Sequence, residues 1–313
     1  MFENAPQYSN IFRGAARLGI LLGSLDLSWY QITSYVSTFS NELNAYQELS
    51  LNNTGENMGV MNRGNGKDFA FRVAHYMETH GIDEERLRRF LVRAQFLEYR
   101  NLFFKVEIGS EGLTEFSYYF RQRSSLEVAR AWLADTGVDF KELSLIEDCA
   151  QVLQKHSVHF LAAAECPNGQ SLQKVYFSQP EDGYAWKRVR IAGKLLGLTD
   201  DSWQTLVPYQ DALSDRPLFF SLTFRDGHFI PGAKLDVGGV DFNTVENLMK
   251  QTGCSPKARE QTRFLLELSE KEKFDYVELQ LYPNALLTTK VYVYESKKRD
   301  HNSNKLTAEV KKS

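Results

Sequence analysis

The sequence has 313 residues, of which 42% are hydrophobic and 25% are charged, a composition typical of ordinary globular domains and unlike that of disordered or collagen-like chains. Its 37 Lys and Arg residues nearly balance its 40 Asp and Glu residues and leave a net charge of −3. The chain lacks the overall positive charge that attracts nucleic acid or anionic lipid, so we expect neither as a partner.

The first part of the chain carries no sign of a membrane or secretory segment. Its longest apolar stretch, 18–25, is interrupted by Gly19 and Gly23 and is too short to cross a bilayer. The opening MFENAPQYSN lacks the basic start and long apolar run of a signal peptide. The three cysteines are odd in number and far apart, which argues against a disulfide framework. We therefore expect a cytoplasmic protein, with a helical region from Ile11 to Tyr46 before the first strand.

Five pairs of alternating segments follow, each pair joined by a Gly, Asn, Asp or Pro turn, and they predict five β-hairpins. The hairpins lie near 48–73, 101–121, 157–178, 218–238 and 276–295, and the first joins ELSLNN to KDFAFRV. Their first strands begin 54 to 60 residues apart, the extremes being 48 to 102 and 158 to 218. Helical patterns fill the intervals, so the period indicates a repeated hairpin-helix unit. We predict one domain over 1–295 and a charged C-terminal tail over 296–313.

Ten antiparallel strands would leave two exposed edges unless the sheet closes on itself. We therefore predict an α+β fold, in which a closed ten-stranded antiparallel β-barrel of five hairpin-helix units is ringed by α-helices. Helices packed around the outside require an apolar outer face on the strands, so apolar strand residues such as Phe160 are expected to point outward. The polar strand residues then line the interior.

The predicted interior carries many ionisable side chains. Each would cost several kcal/mol to bury unpaired, so the interior must hold water or a charged ligand. Lys-x-Tyr or Lys-x-Asp recurs on three return strands, and lysine supplies a point charge for phosphate while tyrosine supplies a neutral donor whose ring attracts a carbocation. This pattern predicts a diphosphate site. Glu107, Glu115 and Glu278 are expected to neutralise neighbouring lysines. His159 is expected to be an interior histidine with its hydrogen bonds satisfied, although its inward position leaves a role as a base open.

Two segments resemble the ABBA aromatic prenyltransferases. QELSLNN, which contains Glu48, resembles the first strand of the indole-using members, where a glutamate hydrogen-bonds the indole N–H. SLQKVYF resembles a return strand with Lys-x-Tyr and has Lys174 and Tyr176 at the matching positions. The resemblance spans roughly 41–295 and is closer to the cyanobacterial hapalindole and ambiguine enzymes than to the fungal branch. It implies transfer of a dimethylallyl or geranyl group from an allylic diphosphate to an indole-containing small molecule by electrophilic aromatic alkylation.

The second return strand departs from the family pattern. It has Ser117-x-Tyr119 where the family often has Lys-x-Tyr, and Lys105 or Arg121 could supply the missing charge. The aspartate-rich DDxxD motif of the other large class of prenyl-transferring enzymes is absent from the sequence.

The first and fourth return strands leave alternatives open. The family arginine of the first is matched by Arg72 or Arg63, and the alternation favours Arg72. In the fourth, Asp236 follows Lys234 at Lys-x-Asp, and this aspartate either binds Mg²⁺ beside the diphosphate or forms a salt bridge to the lysine.

The resemblance and the alternation together assign three roles. Glu48 is expected to orient the indole and accept a proton. The cationic residues expected to bind the diphosphate are Arg72, Lys105, Arg121, Lys174, Lys234 and Lys290. The tyrosines expected to shield the allylic cation are Tyr119, Tyr176, Tyr282 and Tyr292. Two other functions fit the same barrel, namely prenylation of peptides and non-catalytic binding of a small ligand.

Overall fold

The strands follow one another around a closed antiparallel barrel, as the sequence predicts. The structure is a computed structural model that describes residues 32–179, 184–214, 216–283 and 288–296. The barrel strands are β1 (Tyr46–Asn52), β2 (Met58–Gly64), β3 (Leu102–Gly109), β4 (Gly112–Phe120), β5 (Phe160–Glu165), β6 (Ser171–Gln179), β7 (Leu218–Arg225), β8 (Ala233–Asp241), β9 (Lys273–Leu281) and β10 (Thr288–Ser296). Each pairs with its neighbours in the chain, and β10 pairs with β1, which closes the cylinder.

Helices connect the hairpins on the outside of the barrel. They are α1 (Thr33–Thr38), α2 (Ser40–Ala45), α3 (Lys67–Thr79), α4 (Glu84–Phe96), α5 (Leu126–Ala134), α6 (Phe140–Val152), α7 (Ala185–Leu195), α8 (Gln210–Ser214), α9 (Phe242–Gln251) and α10 (Pro256–Leu268), with a 3₁₀ helix over Asp201–Tyr209. Of the helices in the described ranges, none has the length and apolar character needed to span a bilayer.

Several helices begin at residues that the sequence marks as N-caps. The side chain of Asp83 accepts a hydrogen bond from the backbone N–H of Arg86 at the start of α4. Ser125 does the same for Val128 at the start of α5. These bonds satisfy N–H groups that have no partner within the helix, which is why Asp and Ser stand at these positions.

Strand alternation separates the outer core from the lumen. On β3, Leu102, Phe104 and Val106 are fully buried against the helices, whereas Phe103 and Lys105 point into the barrel. The outer face therefore carries the hydrophobic core, and the inner face is free to carry polar residues, as predicted.

The prediction for the first return strand is wrong. KDFAFRV belongs to α3, and the strand that returns from β1 is β2, nine residues earlier at its start (67 against 58). Over the seven residues KDFAFRV, two phenylalanines two positions apart mimic a strand. Over the full α3 the buried residues Phe69, Val73 and Tyr76 recur at helical spacing, and this longer window gives the correct period.

The correction moves Arg72 out of the barrel. Arg72 lies on α3, is exposed, and forms an ion pair with Glu42 on α2. The alternative, Arg63, lies near the end of β2 with its guanidinium 5.6 Å from the centre of the Phe103 ring. The strand arginine is therefore Arg63, which is exposed at the rim of the barrel.

The end segments of the prediction lie largely outside the described residues. These are residues 11–31 of the expected N-terminal helical region and residues 297–313 of the expected charged tail. The turn at 284–287 between the last two strands also lies outside them.

Candidate active site

The barrel encloses a cavity of about 190 Å³. At roughly 30 Å³ of liquid volume for each water, this cavity holds about six waters or part of a small ligand. Within the described ranges, every strand except β3 contributes at least one residue to the lining of this cavity, and Arg121 and His159 contribute from positions next to a strand. The lining residues are Glu48, Met61, Tyr119, Arg121, His159, Phe160, Tyr176, Phe219, Lys234, Asp236, Tyr276 and Tyr292. The predicted polar lumen is therefore present, and aromatic rings accompany its charges.

Glu48 lies on β1 and is 4% exposed. The hydroxyl of Tyr46 donates a 2.8 Å hydrogen bond to Glu48 Oε2, and Arg121 Nη2 lies 3.6 Å from the same oxygen. The Arg121 guanidinium lies 4.3 Å from the centre of the Phe103 ring. Burial, with the added repulsion of the Glu48 charge, raises the pKa of Tyr46, so this tyrosine remains a neutral donor. Glu48 is thus a positioned carboxylate in the cavity wall, able to accept a hydrogen bond from a ligand N–H.

Four aromatic side chains and one methionine lie on the same side of the lumen as this carboxylate, and we call them the aromatic layer. Its members are Met61, Phe103, Phe160, Phe219 and Tyr276. Met61 pairs with Glu48 in register, and the ring centres of Phe160 and Phe219 are 5.5 Å apart. The ring of Tyr276 follows at 5.7 Å from that of Phe219. Such a wall suits an aromatic ligand, which gains both apolar burial and ring contacts there.

The prediction that Phe160 points outward is wrong because the third hairpin contains a break. A two-residue strand, Ser157–Val158, precedes β5, and His159 lies between the two. The backbone N–H of His159 donates to the carbonyl of Tyr176 at 2.6 Å. The break resets the alternation, so Phe160 as well as His159 faces the cavity.

His159 is held as a neutral ring. Burial lowers the pKa of His159, and the positive charges of Arg123 and Arg121 lower it further. Its Nδ1 is buried and finds no hydrogen-bond partner among the described residues. His159 therefore lies in the lumen, as predicted, but its hydrogen bonds are not all satisfied by the described residues, contrary to the prediction.

A second set of side chains lies beside the aromatic layer, and we call it the charged layer. Its members are Lys105, Lys174, Lys234, Lys290, Glu107, Glu115, Asp236 and Glu278. When Arg121 and Glu48 are added to this layer, the described lumen has five cationic and five acidic side chains. This count leaves out Arg63 and Arg225, which are exposed at strand ends. The lumen is therefore close to neutral, and not dominated by lysine.

Lys234 lies at the centre of the first group of contacts in this layer. Its ammonium group is 2.7 Å from Glu278 Oε2 and 3.4 Å from Asp236 Oδ1. It also donates to the hydroxyl of Tyr176 at 3.1 Å. The predicted salt bridge between Asp236 and Lys234 is present. Because Lys234 and Asp236 both line the cavity, this group presents charge directly to a ligand.

Glu107 forms the second group. Its Oε1 accepts hydrogen bonds from both Lys105 and Lys290. A Cβ at Gly59 on the neighbouring strand would lie 2.3 Å from Lys105 Cε, so glycine leaves the space through which Lys105 passes. Glu107 and Glu278 therefore neutralise lysines, as predicted, whereas Glu115 accepts a hydrogen bond from Ser117.

Three tyrosines connect the aromatic layer to the charged layer. The ring of Tyr176 stacks on Phe160 with centres 4.1 Å apart, while its hydroxyl accepts from Lys234. The hydroxyl of Tyr292 donates to Glu278, and the ring of Tyr119 lies 6.4 Å from that of Tyr176. Burial raises the pKa values of all three tyrosines. They are therefore neutral at physiological pH and present both hydroxyls and ring faces to the lumen.

Asp236 is easier to protonate than an ordinary aspartate. Burial raises its pKa to about 6, although Lys234 opposes this shift. An unfolded aspartate ionises near pH 3.9. Between these values the folded state holds a proton that the unfolded state has lost, so the contribution of Asp236 becomes unfavourable as pH rises from about 4 to 6 and stays so above 6.

We expect Asp236→Asn to stabilise the protein at pH 8, because the variant removes a buried charge that Lys234 does not fully compensate. The melting temperature should rise by about 2–4 °C. The difference should shrink as pH falls towards 4, where the wild-type carboxyl is protonated in the folded state and about half protonated in the unfolded state. Thermal unfolding of both proteins across this pH range measures the effect, and an Asn variant that is less stable at pH 8 would contradict the sign.

The acidic side chains do not form a metal cage. Within the described ranges, no three His, Cys, Asp or Glu side chains are grouped so as to hold a metal ion. Glu278 is held by Lys234 and Tyr292. Asp236 lines the cavity, and its Oδ1 forms an ion pair with Lys234 but has no hydrogen-bond partner among the described residues. Mg²⁺ often uses one or two protein carboxylates together with substrate phosphates and waters. Asp236 therefore fits only as a single ligand of an ion that arrives with a diphosphate.

The structure brings together most of the residues selected from the sequence. Arg121 and Lys234 line the cavity, but Arg121 lies beside Glu48 and not among the lysines. Lys105, Lys174 and Lys290 face the lumen behind the cavity wall. Tyr282 follows the end of β9 and is not among the lining residues. The roles of these residues remain predictions.

Comparison with known proteins identifies the fold. No protein-family model and no curated protein matches the sequence. The 5-dimethylallyl tryptophan synthase from Streptomyces coelicolor, solved in complex with DMASPP and Trp, is 14% identical, with a TM-score of 0.63 over 92% of this chain and 94% of that chain. The prenyltransferase PriB, solved with L-tryptophan and dimethylallyl thiolodiphosphate, is also 14% identical, with a TM-score of 0.63 over 91% and 95%.

A third structure extends the match. NotF in complex with brevianamide F and DMSPP is 11% identical and gives a TM-score of 0.63 over 95% of this chain and 96% of that chain. At these identities the likeness establishes the fold alone. The protein has the closed barrel of the ABBA prenyltransferases, as predicted from the five repeated hairpins and the family resemblance. The closer relation to the hapalindole and ambiguine branch remains a prediction.

Proposed function

We propose that the protein transfers a dimethylallyl or geranyl group from an allylic diphosphate to an indole-containing small molecule. The observation that carries the proposal is the composition of one cavity, in which a positioned carboxylate within an aromatic layer faces lysines and tyrosine hydroxyls. Similar folds solved with tryptophan and diphosphate analogues support it. One side of the cavity fits an aromatic acceptor and the other fits an anionic donor.

The donor half stabilises the leaving group. As the C–O bond of the allylic diphosphate breaks, the electron pair leaves with pyrophosphate and negative charge grows on its oxygens. Lys234 lies at the cavity surface, and the hydroxyl of Tyr176 accepts from Lys234 and keeps its own proton to donate. Donors that are already in place where charge develops lower the barrier without reorganisation.

The rings between the two layers protect the allylic cation. Tyr119, Tyr176 and Tyr292 line the cavity, and the faces of tyrosine rings attract positive charge. Lys105 and Lys234 already lie 5.1 Å and 5.2 Å from the ring centres of Tyr292 and Tyr176. The same rings exclude water, which would otherwise quench the cation.

The acceptor half orients the indole. An indole packed against the aromatic layer can donate its N–H to Glu48, which increases the electron density of the ring. A ring carbon then bonds to the allylic carbon, and the proton on the attacked carbon leaves. Glu48 accepts a proton in this step, and Tyr46 and Arg121 keep its carboxylate in place.

Magnesium at Asp236 is a separate proposal. The lysines already supply positive charge to the lumen, so we derive no step from the ion. Assays with Mg²⁺ and with EDTA decide the question. Loss of transfer with EDTA, restored by Mg²⁺ in the wild type but not in Asp236→Asn, would support a ligand role for Asp236.

The charge content of the cavity weighs against a non-catalytic barrel for an apolar ligand, because such a site would not bury Lys234 and Asp236. A peptide acceptor is the second candidate, since an exposed indole on a peptide offers the same N–H and ring. Nothing in the described lumen favours the peptide over the small molecule.

Mass spectrometry of reaction mixtures tests the activity. The protein is incubated with dimethylallyl or geranyl diphosphate and with indole, tryptophan or a tryptophan-containing peptide, and heat-denatured protein serves as the control. We expect a mass increase of one prenyl group on a small indole acceptor, together with release of pyrophosphate. Absence of any prenylated product with all donor and acceptor pairs would contradict the proposal.

A further inference from the structure

Two lysines of the charged layer converge on a single carboxylate. Lys105 and Glu107 lie on β3, whereas Lys290 lies on β10, and β1 and β2 lie between these two strands around the barrel. Both ammonium groups donate to Glu107 Oε1. The wall between these strands carries Ser50 and Gly59 in register with Glu107, so only small side chains lie beneath the contact.

This contact is buried and permanently charged. Lys105 is 2% exposed and Glu107 is 7% exposed. Burial favours protonation of Glu107, but the charges of Lys105 and Lys290 outweigh it and lower its pKa to about 2. The carboxylate therefore remains ionised, and it presents to both lysines the same kind of anionic oxygen that a phosphate presents.

The charge balance of the lumen makes Glu107 a competitor of a diphosphate for Lys105 and Lys290. A diphosphate adds several negative charges to a described lumen that already has as many carboxylates as cations. Lys174 forms no ion pair with a described residue, whereas Lys105, Lys234 and Lys290 are each paired with a carboxylate. Phosphate oxygens therefore gain full ion pairs with these three lysines only where the lysines leave their internal partners. Lys105 and Lys290 share one partner, so a single carboxylate controls two lysines.

We infer that Glu107 occupies the place of a phosphate group between Lys105 and Lys290, and that diphosphate binding moves these lysines from Glu107 to phosphate oxygens. The inference rests on the proposed function, since it concerns the anion that the lumen binds. Glu107 then sets the affinity for the diphosphate group. By competing for the lysines, it lowers the affinity for inorganic pyrophosphate and favours its release after transfer.

Calorimetric titration with inorganic pyrophosphate tests this competition. Glu107→Gln keeps the size of the side chain but removes its charge, and we expect this variant to bind pyrophosphate at least tenfold more tightly than the wild type. The matched control is Glu165→Gln, which changes a fully buried glutamate on the outer face of the barrel, 3.8 Å from Arg86. The control should bind with wild-type affinity. Equal or weaker binding by Glu107→Gln, or no binding by either protein, would overturn the inference.

Thermal unfolding provides a second measurement, because the variant leaves two ammonium groups without their carboxylate. Without pyrophosphate, Glu107→Gln should melt below the wild type. Saturating pyrophosphate should raise its melting temperature more than that of the wild type. If the variant does not fold alone, it should fold when refolded with pyrophosphate, and failure to do so would contradict the inference.

The transfer assay run in parallel separates the inference from the proposed function. Tighter pyrophosphate binding by Glu107→Gln without prenyl transfer by the wild type would retain Glu107 as the competing anion and reject the activity. Prenyl transfer by the wild type with unchanged pyrophosphate affinity in Glu107→Gln would retain the activity and reject the role of Glu107.

Discussion

Replacing Glu48 with Gln is expected to lower the rate of prenyl transfer about 100-fold or more, because the variant loses both the anionic acceptor for the indole N–H and the base. General-base groups contribute roughly 10²–10⁴-fold to enzymatic rates. Gln retains an oxygen that accepts from Tyr46, and Arg121 retains its contact with the Phe103 ring, so the fold should persist. Steady-state turnover with an indole acceptor and dimethylallyl diphosphate measures the loss.

The binding of the donor separates this role from a structural one. Glu48→Gln should bind inorganic pyrophosphate within about twofold of the wild type, since the lysines lie in the charged layer and not beside Glu48. The control is Glu42→Gln, which removes the ion pair with Arg72 outside the barrel and should leave turnover unchanged. Full turnover by Glu48→Gln would refute the assigned role.

Replacing Lys234 with Met should abolish measurable transfer and lower stability together. The ammonium group of Lys234 contacts Glu278, Asp236 and Tyr176, so its loss removes a cation from the cavity surface and leaves two carboxylates without it. Breaking a buried ion pair by removing one partner costs roughly 3–5 kcal/mol. Turnover and thermal unfolding measure the two effects, and Lys141→Met, an exposed lysine on α6, is the control.

A double variant separates the two effects of Lys234. Lys234→Met with Asp236→Asn removes one of the two carboxylates that lose their partner, so it should melt above Lys234→Met alone. Its transfer activity should remain undetectable, because no cation has been restored to the cavity. Recovery of activity together with stability would show that Lys234 acts only through the fold.

The repeat made the barrel predictable from the sequence. Apart from the break at His159, alternation over the second to fifth hairpins is regular because each strand there has one face against helices and one face in a polar lumen. The prediction of the first hairpin was wrong because the sequence of β2, MGVMNRG, does not alternate regularly between polar and apolar residues. Gly59 stands where Lys105 needs space and Met61 stands where a polar residue was expected, so packing inside the barrel overrides the pattern.

The site was predictable in its charged half and less so in its aromatic half. Lys174, Lys234 and Lys290 could be selected from the sequence because each is followed two positions later on its return strand by a tyrosine or an aspartate. Phe160 and Phe219 were missed, because an apolar residue on a strand indicates burial without indicating which face is buried. The break at His159 is a local backbone feature, and the nearly neutral lumen depends on which carboxylates reach which lysines across the barrel.

A crystal structure of the protein with dimethylallyl thiolodiphosphate, an unreactive donor analogue, tests the central claim most directly. The account predicts the diphosphate within hydrogen-bonding distance of Lys234 and the Tyr176 hydroxyl. It also predicts the prenyl chain between Tyr119, Tyr176 and Tyr292, directed towards Glu48. An analogue bound outside the lumen, or a lumen that stays empty at saturating analogue, would contradict the account.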